Sequence, residues 1–322
     1  MLTRTLLIIA VSVATTAYAA QAYPNRTITL VVPSAPGGSL DLAARAVAQE
    51  MGKQMGQSLI VENKPGASGI LAVQAVAQAT PDGYTLLLTH SAPIINTPHL
   101  FSKVPYVVRR DLAFVSQIAM GRIALAVNDR VPVKDVQGLI AWATKNKDQM
   151  AYGSNGVGTF GHMTGTYLNQ SRGLRMTHVP YKSEAQMVQD LSAGQVAWGT
   201  SSLGTLAPYV ESGKVRLLAV FGDHRAKSLP NIPTMAEAGF PDAQFKSVTW
   251  VGMLAPIATP APILARLEKE VRQAALSAPV QARFATFSSE SIANSGADFR
   301  KDFEATEPML KRLIESSGAK LD

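Results

Sequence analysis

Between Ile28 and Thr89 the chain alternates short apolar runs rich in β-branched residues with amphipathic stretches of period near 3.6, and this alternation narrows the fold to an α/β class. Strands are expected at Ile28 to Val32, Leu59 to Val61 and Tyr84 to Leu88. The first helix, about Leu40 to Met55, turns Ala43, Val47, Met51 and Met55 to one side and Arg45, Gln49 and Lys53 to the other. Connections this short imply parallel strands with right-handed crossovers. The Pro81-Asp82-Gly83 triplet is a turn signal that launches the third strand.

A second copy of the pattern starts near Ile123. It predicts strands Ile123 to Val127, Met150 to Gly153, Met176 to Val179, Gln195 to Trp198 and Val215 to Phe221, with helices Val136 to Lys145, Gly161 to Gln170, Glu184 to Ala193 and Leu203 to Ser212 between them. Gly194 and Gly213 follow the last two helices, where a helix C-terminus favours glycine. Lys227 to Pro241 holds three prolines and reads as irregular structure, Val248 to Leu254 as a strand, and Ile263 to Leu276 and Phe299 to Ser316 as helices returning over the first domain. A chain of 322 residues exceeds what one core usually serves, at roughly 150 residues per domain. The division expected is lobe 1 from residues 23–122 plus 248–322 and lobe 2 from residues 123–247, two parallel-sheet lobes with a ligand cleft between them.

The N-terminus reads as a secretory leader, residues 1–22: Arg4, an apolar run from Leu6 to Val13, then small residues ending Ala19-Ala20. Cleavage fits after Ala19 or after Ala22. The apolar run falls short of the roughly 20 residues that span a bilayer. The mature chain is therefore expected in the periplasm, and the absence of cysteine excludes disulfides and a lipidated cysteine. A net charge of +7 favours small anions; the basic residues form no stripe, so no nucleic acid partner is expected.

Two loops stand out. Pro33 to Ser39 (PSAPGGS) and Gly153 to Thr159 (GSNGVGT) each connect a strand to a helix, one in each half. A helix N-terminus offers unpaired N–H donors and a partial positive charge, and glycine lets an anion approach the backbone. Taken singly, each also fits an ordinary turn with Ser39 or Thr159 as cap. Gly156-Val157-Gly158-Thr159-Phe160-Gly161 matches a dinucleotide fingerprint, but the next strand ends in Pro180-Tyr181 without an acidic residue for a ribose, so no cofactor is expected. There is no nucleophile elbow and no zincin or Walker motif, and the histidines at 90, 99, 162, 178 and 224 lack metal-ligand spacing, so neither enzyme nor metal site is expected. His90 and Ser91 end the third strand where a ligand would lie, and Asp41 sits in the first helical turn, as a capping charge or as a brace for the loop.

Tyr23-Pro24 with Ile28 to Asp41 (ITLVVPSAPGGSLD), Val61 to Ala67, Pro81 to Leu86, His178 to Lys182, Leu229 to Thr234 with Ala236 to Gly239, and Trp250 with Leu254 to Pro256 resemble, in this order, the extracytoplasmic receptors of tripartite tricarboxylate transporters, the Bug receptors. The resemblance spans nearly the whole mature chain. It implies a type II periplasmic-binding-protein fold that closes on its ligand, a monomer, and delivery to a membrane permease. It also implies that a ligand carboxylate is held by Ser34, Ala35, Gly37, Gly38 and Ser39, with Asp41 behind them, and by Ser154, Asn155, Gly158 and Thr159. The expected ligand-binding set adds His90, Ser91, Phe160, Tyr181 and Ser201.

Three positions depart from the family: Leu40 replaces a Ser or Thr, Phe160 a frequent Ser, and Ser201 a frequent Asp. The loss of an acidic group at 201 speaks against an amino acid ligand and for a dicarboxylate, an aromatic one if Phe160 stacks on it rather than packing in the core. A ligand-presenting sensor domain is the alternative on the same fold. A hydrolase built on Ser154 or Ser39 lacks an arranged base.

Overall fold

A computed structural model describes residues 23–146, 150–246 and 249–322. The leader and the boundary at Val248 lie outside them. Eleven strands are present among the described residues: β1 (Ile28–Val32), β2 (Leu59–Asn63), β3 (Thr85–His90), β4 (Leu112–Gly121), β5 (Ile123–Asn128), β6 (Ala151–Ser154), β7 (Thr177–Pro180), β8 (Trp198–Ser202), β9 (Val215–Val220), β10 (Trp250–Pro256) and β11 (Ser289–Ser291). They form a six-stranded sheet, β11-β4-β10-β3-β1-β2, and a five-stranded sheet, β7-β6-β8-β5-β9.

The two-lobed α/β architecture is the one expected, but the sheets are mixed rather than purely parallel. The first sheet is parallel across β2, β1 and β3, whereas β10 runs antiparallel to β3 and β4; in the second, β6 is parallel to β7 and β8, whereas β5 runs antiparallel to β8 and β9. The strands that run against the rest are β5, by which the chain enters the second sheet, β10, by which it re-enters the first, and the edge strand β11.

The ten-residue β4 was absent from the sequence expectation because Ser116 and Gln117 interrupt its apolar run. Both are fully buried and satisfied: Ser116 Oγ donates to the Asn294 carbonyl at 2.6 Å, and Gln117 Nε2 donates to Asp302 at 3.0 Å. The strand expected at Gln195 to Trp198 begins instead at Trp198.

Two core clusters clothe the first sheet. On one face Ile28, Leu30, Leu86 and Met253 pack against Val47 and Met51 of the helix Ser39–Met55 and Leu267 and Val271 of the helix Ala261–Ala275. On the other, Val31, Leu87 and Trp250 pack with Phe299, Phe303 and Leu313 of the helix Gly296–Ser317. This last helix does more than cover the first sheet, because Met163 of the second half joins its cluster and Ser316 Oγ accepts a bond from Gln170 at 3.0 Å.

The topology places the two glycine loops in equivalent spots. β1 lies between β2 and β3, and β6 between β7 and β8, so the chain leaves each central strand toward one neighbour and returns on the other side. Crevices form at such switch points, outside the carboxyl ends of the strands. The loop after β1 leads into the helix Ser39–Met55, and the loop after β6 into the helix Phe160–Arg172.

Candidate functional site

A cavity of about 840 Å³ lies at these carboxyl ends. Ser39, His90 and Ser91 line it from the first lobe, and Asn155, Thr159, Phe160 and Ser201 from the second. Seven of the expected residues therefore meet at one cleft.

Neither helix facing the cleft is capped by a side chain. The N-cap position of the first is Gly38, not Ser39, and no side chain bonds its first turn. Thr159 occupies the N-cap position of the second, yet its Oγ1 donates to the Gly156 carbonyl at 2.7 Å instead of accepting from the helix. The ordinary capping roles weighed for Ser39 and Thr159 are thus not used. Each helix leaves first-turn N–H groups without an intrahelical partner, at the positive end of its dipole.

The other expected residues build the loops rather than face the cavity. Asp41 is 1% exposed: Oδ2 accepts from the Gly37 N–H at 2.8 Å, Oδ1 accepts from Asn63 Nδ2 at 2.9 Å, and Arg45 completes an ion pair at 2.9 Å. Burial opposes its ionisation, but the bonds from Arg45, Gly37 and Asn63 outweigh that and hold its carboxyl below the usual range. Asp41 therefore braces the loop and occupies the Gly37 amide. The Gly38 N–H turns back to the Ala35 carbonyl at 3.3 Å. The Ser34 hydroxyl is buried without a partner.

In the second loop the Ser154 hydroxyl is buried beneath the chain, bonded to the Gly156 carbonyl at 2.9 Å and to His178 Nε2 at 2.7 Å. The Gly158 N–H donates to His162 Nδ1 at 3.0 Å, so it too is occupied. His162 stacks on His178 at 4.1 Å, His178 on Tyr152 at 5.1 Å, and Tyr152 on Trp198 at 4.9 Å, an aromatic column that supports the loop from below. Tyr181 does not line the cavity; burial and the neighbouring Asp190 push its phenol up to about 12, and only its backbone N–H meets the loop, at the Ser154 carbonyl.

Phe160 serves both roles weighed for it. Its ring packs edge-on against the buried Phe221 at 4.8 Å, and it also lines the cavity. His90, at the exposed end of β3, presents its side chain to the cavity.

Sequence reasoning missed several lining residues. Ser201 stands where an acidic group was thought lost, but Glu184 supplies one from another element: its Oε1 accepts from Ser201 Oγ at 2.6 Å and from the Ser202 N–H. Ser201 therefore does not count against an amino acid ligand, because the cavity wall keeps a carboxylate at Glu184. Arg122, Gln244, Asn96 and Gly161 also line the cavity. Gly161 is legible in hindsight, since the loop helix sits so close to Ser154 and Thr200 that a Cβ there would meet Thr200 Oγ1 at 2.8 Å. Arg122 carried no local signal, as it is one basic residue at the end of an unrecognised strand.

The family model described as tripartite tricarboxylate transporter family receptor matches residues 43–318. Protein BugT of Bordetella pertussis is 31% identical over 99% of this chain and 99% of its own. A Rhodopseudomonas palustris protein, Rpa4515, solved with adipate, is 30% identical over 93% of this chain and 100% of its own, with a TM-score of 0.73 to 0.77 spanning it and a second protein from that organism, MatC, solved with bound malate at 29% identity over 91% of this chain and 100% of its own.

Proposed function

The chain belongs to the receptor family of the tripartite tricarboxylate transporters, solute-binding proteins rather than enzymes, and on that premise we propose that it captures a small organic carboxylate in the periplasm and delivers it to a permease of that type. One observation carries this reading: two helices without side-chain caps, each entered through a glycine loop at a switch point, open on one cavity from opposite lobes. A carboxylate accepts hydrogen bonds and carries negative charge, the complement of two such termini. Ser39 and the amides of the first turn hold it from one side, Asn155, Thr159 and the amides of Phe160 and Gly161 from the other. Ser34, Ala35, Gly37, Gly38, Asp41, Ser154 and Gly158 shape the two loops. Adipate and malate in the two Rhodopseudomonas proteins favour a dicarboxylate, and Phe160 on the wall suits an aromatic one.

No described helix is long and apolar enough to cross a membrane. A thermal-shift screen of the mature protein against aliphatic and aromatic mono- and dicarboxylates, citrate and acidic amino acids tests the proposal. A ligand at one hundred times its Kd stabilises the fold by about 2.7 kcal/mol, a shift of a few degrees. No shift with any carboxylate would sink it.

A further inference from the structure

Two side chains on the cavity wall are buried with donors unspent. Arg122 is 2% exposed and Gln244 is 3% exposed, and both line the cleft. Arg122 sits on the crossover between β4 and β5, where its N–H donates to the Ser288 carbonyl at 2.9 Å and its carbonyl accepts from the Leu203 N–H at 3.0 Å. A guanidinium has five N–H bonds. Nη2 engages Glu290 and His224, while Nε and Nη1 have no partner. The Gln244 Nε2 amide has none either.

Glu290 balances the charge of Arg122 without using these donors, and a buried donor left unpaired is destabilising. A group that arrives with the ligand and accepts several hydrogen bonds relieves that cost. A carboxylate offers two oxygens with about four acceptor positions and no donor. Arg122 is also the only Lys or Arg in the described lining, and Glu184, the only acid there, is turned to Ser201 and Ser202. The glycine loops lie beyond the carboxyl ends of β1 and β6, whereas Arg122 belongs to the crossover, which the return crossover flanks through the Gly121 N–H bond to the Thr249 carbonyl at 2.7 Å.

We propose that Arg122 and Gln244 form a second anion subsite that takes the distal carboxylate of a dicarboxylate, and so select dianions over monoanions; this rests on the carboxylate-capture reading above. The subsite supplies specificity, since the first carboxylate is common to both ligand classes.

Calorimetry on the mature protein with matched pairs tests it: succinate and butyrate, adipate and hexanoate, terephthalate and benzoate. The wild type should bind the dicarboxylate of its preferred pair about tenfold or more tightly than the monocarboxylate. Arg122→Met should remove that preference while leaving the monocarboxylate Kd within about twofold, because charge-assisted bonds carry the difference. Gln244→Glu keeps the side-chain shape and sets a like charge against the distal carboxylate, so it should weaken the dicarboxylate selectively even if Arg122→Met fails to fold. Equal loss for both members of a pair, or dicarboxylate binding unchanged in Gln244→Glu, overturns the subsite. Wild-type binding of monocarboxylates as tight as dicarboxylates also overturns it but leaves carboxylate capture standing. Binding of no carboxylate at all removes both.

Discussion

Asn96, lining the cavity from the first lobe, donates its side-chain N–H to the carbonyl of Gly158 in the second at 2.7 Å, in a buried contact between the lobes. Gly158 has φ +75°, and a Cβ on it would run into Leu100 from the same side. Asn96→Ala would leave the Gly158 carbonyl buried and unpaired, at a cost of about 1–3 kcal/mol. Because that cost falls on the state in which the lobes meet, carboxylate affinity should drop by about tenfold. Gly158→Ala should do at least as much, through both strain and overlap. Calorimetry checks both; unchanged affinity in Asn96→Ala would detach this contact from binding.

Ser39 allows one amide of the proposed clamp to be removed with little harm to the helix. It is the first residue of a 17-residue helix, a position that tolerates proline, and Gly38 before it has φ −71° and ψ 163°, which a following proline accepts. Ser39→Pro should keep the melting temperature within a few degrees yet weaken carboxylate binding by about tenfold. Ser39→Ala, which loses only the hydroxyl, should weaken it less. Equal effects of the two variants would mean that the amide plays no part.

Asp41→Ala would unpair the Gly37 amide and the Asn63 side chain and leave Arg45, which is half exposed, without its partner. The expected loss is about 1–3 kcal/mol of stability, read as a fall of several degrees in melting temperature. Arg45→Ala should cost under about 1 kcal/mol, because its guanidinium is solvated.

Acidification tests the aromatic column. Desolvation, with the neighbouring His162 adding to it, lowers the His178 pKa from 6.5 to about 4, and desolvation lowers that of His162 as well. Between pH 6.5 and about 4 the unfolded chain then binds protons that the folded chain does not, so stability falls as pH drops through this window and levels off below it. His178→Gln should flatten the pH dependence of the melting temperature between pH 7 and 4. An equally steep profile in the variant would place the titration elsewhere.

The sequence showed the elements whose patterns are local. The strand Ile28–Val32, the helices Val136–Lys145 and Glu184–Ala193 and the two glycine loops follow from periodicity and punctuation within a dozen residues. What stayed hidden depends on partners far along the chain. Ser116 and Gln117 look wrong for a central strand until Asn294 and Asp302 arrive to bond them. The mixed sheets escaped notice because strand direction depends on the crossovers, which leave no periodic trace. At the site, Ser39, Thr159 and Phe160 were visible as loop residues, whereas Arg122, Glu184 and Gln244 reach the cavity from a crossover, another helix and a short 3-10 helix, Ala243–Phe245. Ser154, Gly158 and Tyr181 could be named from the sequence but not assigned a direction, and the structure turns their polar groups to His178, His162 and Asp190.

The central claim is that one carboxylate is held between the two helix N-termini, and a crystal structure of the mature protein with the best ligand from the thermal screen tests it most directly. The account predicts carboxylate oxygens within roughly 3 Å of first-turn amides at Ser39 or Leu40 and at Phe160 or Gly161 together, the usual N–H to oxygen distance. A bound carboxylate that touches neither helix terminus, or only one of them, would contradict the clamp.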